Sequence, residues 1–116
     1  MGISYDGIGE WYATFGCGKV KEGDVVKVSA NGSADVCGAG DSFCGVVRAI
    51  ARDGKACSVQ LGGIATVNYS GENAPIPGYG KLSADAAGGV SVDASKGREY
   101  LILAADSAAK TVTIKL

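Results

Sequence analysis

Residues 43–69, FCGVVRAIARDGKACSVQLGGIATVNY, contain the pattern that decides the fold. Asp53-Gly54, near their middle, is typical of a two-residue hairpin turn of type I′, because both central residues of that turn need a positive φ. Pairing outward from the turn gives three opposed pairs: Ile50 with Cys57, Arg48 with Val59 and Val46 with Leu61. After Gly62-Gly63, the β-rich run at residues 64–69 predicts a third strand.

Short apolar runs separated by turn signals about every ten residues continue along the rest of the chain. Glycine accounts for 19 of 116 residues, against an average share of about 7%, and it stands mostly between these runs. Further strands are expected at residues 25–28, 36–37, 82–85, 90–92, 99–104 and 111–116. The last run alternates, so Val112, Ile114 and Leu116 should face the core. The pattern predicts an all-β fold, a small antiparallel β-sandwich or barrel with short turns and little helix.

The segment 38–45, GAGDSFCG, resembles the G-A-G-D segment of ribokinase-type sugar kinases. In that family, glycine amides at a helix N-terminus bind an anion and the aspartate is the general base. Only 37 residues precede the segment here, too few for the α/β domain of those kinases. We therefore interpret Asp41 as a turn residue. A helix over residues 42–51 stays an alternative, because short apolar runs fit the helical period of about 3.6 residues as well as the strand period of about two.

Other catalytic and metal chemistry finds little support in the composition. Ser42 follows Asp41 as in G-D-S hydrolases, but the chain has no histidine to act as its base. The cysteines form no C-x-x-C pair, so free thiols are favoured over a four-cysteine zinc site: Cys17, Cys37, Cys44 and Cys57. We expect no enzyme activity, metal or cofactor.

Charge and hydropathy also limit the partners. The 11 basic and 12 acidic residues leave a net charge of −1, which provides no positive field for nucleic acid. The longest apolar run, residues 100–105, is too short to cross a membrane. The first six residues have neither a basic nor an apolar region typical of a secretory signal. We expect a protein that binds neither nucleic acid nor membrane.

Residues 1–16 are rich in aromatic side chains and interrupted by glycines. Because aromatic residues are common interface anchors, we predict a partner-binding arm before a single β domain at residues 17–116. The anchors would be Tyr5, Trp11, Tyr12 and Phe15. The alternative is that this segment folds back onto the core of its own domain.

Several short segments carry a resemblance to a known family. They are Gly23-Asp24-Val25-Val26, residues 40–47 (GDSFCGVV), residues 59–64 (VQLGGI), Gly78-Tyr79 with Leu82, Gly88-Gly89-Val90, Gly97-Arg98 and a terminal β-hairpin. Over residues 16–116 the chain resembles the decoration or cement proteins of tailed-phage heads, small β-barrel proteins encoded beside major capsid genes. The resemblance implies a non-enzymatic virion protein, made in the host cytoplasm and bound outside an icosahedral capsid. Its partners would be the major capsid protein and, as a homo-trimer, two further copies of itself.

A second class of function remains open. Exposed aromatic rings on a small β domain can stack on sugar rings, so a ligand-binding module for carbohydrate is the alternative. Its stacking candidates would be Trp11, Tyr69 and Tyr79.

Overall fold

The computed structural model describes residues 9–116. Within this range the chain forms ten strands and no helix, which confirms the all-β prediction. The strands are β1 (Trp11–Cys17), β2 (Val25–Ala30), β3 (Ser33–Val36), β4 (Gly45–Ile50), β5 (Ala56–Gly62), β6 (Ile64–Asn68), β7 (Gly78–Ala84), β8 (Val90–Val92), β9 (Arg98–Asp106) and β10 (Thr111–Lys115). The helix considered for residues 42–51 is wrong, because β4 occupies most of that range.

The first five strands close into a barrel in the order β1-β3-β2-β4-β5. Strand β1 completes the ring, because it pairs antiparallel with β5 and parallel with β3. The barrel is therefore not wholly antiparallel. A closed ring has no edge strand, but the pairing is short at two seams: β2 pairs with β4 only at Val25 and Val26, and β1 pairs with β3 only at Gly16 and Cys17.

The central hairpin forms, but its turn is longer than predicted. The Ala51 N–H donates to the Ala56 carbonyl over 2.8 Å, and the Gly54 N–H donates to the Ala51 carbonyl over 2.9 Å. Only Gly54 adopts a positive φ, at +72°, whereas a type I′ turn needs a second such residue at Asp53. The connection is therefore a four-residue loop, residues 52–55, with glycine in the left-handed position.

The register of this hairpin matches the prediction next to the turn and then departs from it. Ile50 pairs with Cys57 as predicted, but a bulge between Val47 and Ala49 takes Arg48 out of the ladder. The other two predicted pairs are wrong for that reason. The observed pairs beyond the bulge are Val47 with Val59 and Val46 with Gln60. An extra residue in one strand reverses the face on which the residues beyond it lie.

The last five strands form a second sheet in the order β6-β10-β9-β7-β8. Its outermost strands meet at one end, where Tyr69 bridges to Val90 and the Ser70 N–H donates to the Val90 carbonyl over 2.9 Å. Strand β6 is the predicted third strand after the hairpin. In β10, Val112 and Ile114 are buried and Leu116 packs partly buried beside them, as the alternating pattern predicts.

The buried residues form two clusters, and neighbouring valines of β2 and β4 belong to different ones. Val26 and Val47 point into the barrel, where they pack with Ala34, Cys57 and Val59. Their neighbours Val25 and Val46 point out of the barrel into the cluster under the second sheet, with Phe43, Leu82, Tyr100, Ile102 and Ile114. Because successive side chains of a strand face opposite sides, β2 and β4 serve both cores and join the two sheets.

Phe43, in the connection between β3 and β4, fastens this junction. Its ring stacks on Tyr100 at a centroid distance of 4.8 Å and an interplanar angle of 7°. The Tyr100 hydroxyl donates to the Phe43 carbonyl oxygen over 2.9 Å. Both residues are buried, so one aromatic pair ties the chain beside the barrel to strand β9 of the second sheet.

The predicted boundary between arm and domain falls inside a strand. Residues 11–16 belong to β1, which pairs with β5 from Trp11 to Gly16. The alternative, that the segment folds onto its own domain, describes these residues. Tyr5 and the rest of residues 1–8 lie outside the described residues.

Candidate functional site: two exposed apolar surfaces

The first exposed surface lies at the start of β1 and is called here the aromatic corner: Trp11 and Tyr12, with Gly62 beneath them. Trp11 is 58% exposed, although its indole lies on the backbone of β5. A Cβ added to Gly62 would lie 1.8 Å from the Trp11 Nε1, so the glycine makes room for the ring. The corner therefore presents a large aromatic side chain in a defined position.

Tyr12 stands beside Trp11, and polar neighbours hold it. Its hydroxyl donates to the Glu10 carboxylate. This hydrogen bond is the main reason why the pKa of Tyr12 is raised, while the nearby Arg48 guanidinium acts in the opposite direction. Arg48 is the bulged residue of β4. The bulge that breaks the hairpin register thus also brings a cation close to the aromatic corner.

The four predicted anchors of the arm have different environments. Trp11 and Tyr12 are exposed next to each other. Phe15 points inward and packs against the barrel cluster, so its ring contributes to the core. Tyr5 lies outside the described residues. The aromatic corner therefore contains two of the four predicted contact residues.

The second exposed surface is a cavity of about 550 Å³ between the loop at residues 72–77 and strand β7. It is called here the β7 groove. The buried side chains of Leu82 and Ile102 form its floor. Ile76 and Tyr79, at its rim, are 77% and 73% exposed. The remaining lining residues are Glu72, Asn73, Ala74, Pro75, Pro77, Gly80, Lys81 and Val92.

Local sequence explains why this groove is open. Gly80 has no side chain, and a Cβ there would already lie 3.0 Å from the Ile102 Cδ1. Pro75 and Pro77 lack the N–H that a ladder needs, so their loop runs beside β7 without extending the sheet. A volume of this size, with an apolar floor and a few polar groups at the rim, is typical of ligand or peptide sites.

The groove also runs along an unpaired strand edge. Strand β8 pairs with β7 only at residues 82–84. No other strand in residues 9–116 pairs with that side of residues 78–81. The Lys81 carbonyl accepts a hydrogen bond from the Asp93 N–H on this side, over 3.0 Å. Since the hydrogen-bonding direction repeats every second residue, the Tyr79 N–H and C=O also point towards the groove.

The three stacking candidates for a sugar are not equivalent. Trp11 and Tyr79 are exposed. Tyr69 is only 4% exposed, and the Lys110 Nζ lies 5.1 Å from the centre of its ring. Tyr69 therefore belongs to the core under the second sheet, and its ring is not presented to a ligand.

The glycine-rich segment before β4 is a turn. The Asp41 Oδ2 accepts hydrogen bonds from the Lys27 Nζ over 2.7 Å and from the Gly38 N–H over 2.8 Å. These contacts, that with Lys27 first, hold the pKa of Asp41 below its usual value, and the same carboxylate raises the pKa of Lys27. The Asp41 carboxylate thus stabilises the turn and fixes it to β2.

All four cysteines are free thiols. Burial raises the pKa of Cys37 to about 11. Burial, together with the neighbouring Cys17, raises the pKa of Cys57 to about 12. Within residues 9–116, no group of three or more histidine, cysteine or acidic side chains is placed to hold a metal ion.

Comparisons with known proteins add no relative. No protein-family model matches this chain, and no curated protein matches it. In the part of the chain that the structure describes, no helix is long and apolar enough to cross a membrane. The resemblance to phage decoration proteins therefore remains a prediction.

Sequence reasoning missed the β7 groove. A signal was present in the two prolines followed by Gly78 and Gly80, which together indicate a loop beside a strand with little side-chain volume. The floor of the groove comes from Ile102, and part of its rim from Val92, far along the chain. Only the strand order β9-β7-β8 brings these residues to the loop.

Proposed function

We propose that this chain is a non-enzymatic virion protein that binds the outside of an icosahedral phage capsid and braces it. The observation that carries the proposal is the aromatic corner. Its Trp11 is large, exposed and held on a closed barrel by its packing on Gly62. Trp and Tyr are enriched among residues that dominate binding energy at protein interfaces.

The architecture suits a bracing role. Strands β2 and β4 of the closed barrel contribute side chains both to the barrel cluster and to the cluster under the nearly closed second sheet. A domain held from both sides resists deformation, because packed interiors have low compressibility. Many identical contacts on one shell would add avidity to each weak contact. The partners are the major capsid protein and, in a homo-trimer, further copies of this chain.

The test is co-sedimentation of the full chain with empty shells assembled from the major capsid protein that is its proposed partner. We expect saturable binding to the shells. Trp11→Ser should weaken it by about 2 kcal/mol, roughly 30-fold, if Trp11 is a central anchor. Deleting residues 1–8 tests the remaining arm and leaves all of β1 in place, unlike a deletion up to residue 15.

Two outcomes distinguish the role of Trp11 from capsid binding as such. Unchanged binding by a folded Trp11→Ser protein would remove the aromatic corner from the contact. Failure of the wild-type chain to bind the shells would contradict the proposed function itself.

A second candidate function is favoured by the β7 groove. Tyr79 offers an exposed ring beside the polar side chains of Glu72, Asn73 and Lys81, a combination that suits a sugar. Titration of the full chain with a panel of oligosaccharides, followed by changes in tyrosine fluorescence, tests this function. A saturable change that Tyr79→Ala abolishes would support it.

A further inference from the structure

We propose that the β7 groove receives residues 1–8 of a second copy of this chain as an added strand. This inference rests on the oligomeric part of the proposed function and not on binding to the capsid. It assigns a receptor to the predicted arm and a partner to the open edge of the second sheet.

The backbone of the groove favours a polypeptide as its occupant. Residues 78–81 have β9 on one side and no strand on the other within the described chain. The Tyr79 N–H and C=O point to that open side. An extended peptide satisfies both groups with its own backbone, as in recognition by strand addition. Open edges of this kind are the usual sites of pairing between chains.

The side chains of the first eight residues, MGISYDGI, match the groove. Met1, Ile3 and Tyr5 are apolar and alternate with Gly2, Ser4 and Asp6. This period of two places one apolar face on an extended segment. The exposed Ile76 and Tyr79 at the rim, with Val92 close by, offer a matching apolar surface.

The starting point of the segment argues for a second copy. Glu10 lies against Gly63, next to Ile64 of β6. From Ile64 a continuous row of paired residues crosses the outer strands to Tyr79 through Lys115 and Leu101. Neighbouring strands lie about 4.8 Å apart, so the three steps from β6 to β7 and a fourth step into the groove make a path of roughly 19 Å.

The same path length limits how far residues 1–8 could extend into the β7 groove of their own chain. Eight extended residues span about 26 Å. After crossing the sheet, about 7 Å would remain, which is roughly two residues. That is too short to pair with residues 78–81. A neighbouring copy whose β1 begins opposite the groove has no such limit.

Such an exchange has a consequence for assembly. The donated segment and the receiving groove are different surfaces, so the contact is head-to-tail. A head-to-tail contact closes into a ring when its rotation allows, and a ring of three is the trimer of the proposed function.

The test uses the full chain with a photo-reactive benzoylphenylalanine in place of Tyr5. Protein labelled with ¹⁵N is mixed with unlabelled protein at the highest concentration that stays soluble, irradiated, digested and examined by mass spectrometry. We expect cross-links from residue 5 to residues 72–81, with many pairs joining a labelled to an unlabelled peptide. No capsid is present, so the result is independent of whether the protein binds shells.

Variants at the rim test whether the cross-links depend on the β7 groove. Tyr79→Asp and Ile76→Asp change exposed side chains at the rim, and each should reduce the mixed cross-links at least tenfold. The matched control is Val28→Asp, because Val28 is 54% exposed on β2, a strand of the barrel and not of the sheet that contains β7. Cross-links within one chain only, cross-links to another region, absence of cross-links, or yields unchanged in both rim variants would overturn the inference.

Discussion

Single positions in this molecule decide how closely its strands approach one another. Gly45, at the start of β4, faces β5 so closely that a Cβ would lie 2.3 Å from the Gln60 carbonyl oxygen and 2.8 Å from the Val59 Cγ1. Backbone cannot move aside as a flexible side chain can. Gly62, in contrast, faces the side chain of Trp11 and not backbone, and it leaves the space in which the indole packs. The sequence shows both as glycines in apolar runs, and only the structure distinguishes them.

Gly45→Ala should lower the free energy of unfolding by about 1–3 kcal/mol, the usual cost of overpacking. Urea denaturation of both proteins measures this loss. Gly38→Ala is the matched control, because its Cβ would meet only the Asp41 carboxyl group, at an ordinary 3.5 Å from the Oδ2. Equal stability of the two variants would show that β4 and β5 are not packed as described.

The thiols provide a second test at this scale. Cys37 and Cys57 are buried with raised pKa values, so at pH 8 each is a neutral thiol shielded from solvent. An aromatic disulfide reagent should label both only at the rate of unfolding, and more slowly than the half-buried Cys17. Peptide mapping identifies the labelled residue. Immediate labelling of Cys57 in the native protein would contradict a closed barrel.

At the scale of elements, apolar alternation and turn residues predicted where the strands lie but did not predict the β-bulge in β4. The hairpin, the strand after it and the terminal hairpin follow from alternation and turn residues. The bulge at Arg48 does not, because a bulged residue has no distinct signature in an apolar strand. Its effect was large: Val47 and Ile50 both pack with the barrel cluster, although they are three residues apart and a regular strand would turn them to opposite faces.

The turn between β8 and β9 is held by one carboxylate. The Asp93 Oδ1 accepts from the Lys96 N–H over 2.9 Å and from the Ser95 N–H over 3.2 Å, and its Oδ2 accepts from the Ser83 hydroxyl over 3.0 Å. These hydrogen bonds, that from Lys96 first, lower the pKa of Asp93. The same carboxylate joins β7, β8 and β9, which frame the β7 groove.

A lowered pKa fixes the sign of the pH dependence. The contribution of Asp93 to stability is present above its unfolded pKa of about 3.9 and is lost as the pH falls through the lower folded value. Asp93→Asn should therefore be less stable than the wild type at pH 7, and the difference should shrink below pH 4. Thermal unfolding across this range measures the change.

The control for this experiment is Glu72→Gln, because the Glu72 side chain is exposed and makes no hydrogen bond or ion pair among the described residues. It should leave stability at pH 7 nearly unchanged. A stability difference for Asp93→Asn that stays constant from pH 7 to pH 2 would contradict the role given to the carboxylate.

At the scale of the whole molecule, a barrel and a second sheet pack together through side chains of β2 and β4, and two apolar surfaces stay exposed. The all-β class could be predicted, because it follows from local alternation. The β7 groove could not, since its walls come from residues 72–82, 92 and 102, which only the strand order brings together. Trp11 was predicted as a contact residue from its type alone, and the structure leaves it exposed.

The central claim is that this protein occupies the outer surface of a phage capsid. Electron cryo-microscopy of the full chain mixed with empty shells of the major capsid protein that is its proposed partner tests it most directly. The account predicts added density at regularly repeated positions on the outside of each shell, into which the two-sheet domain fits. Shells that remain bare in the presence of excess folded protein would contradict it.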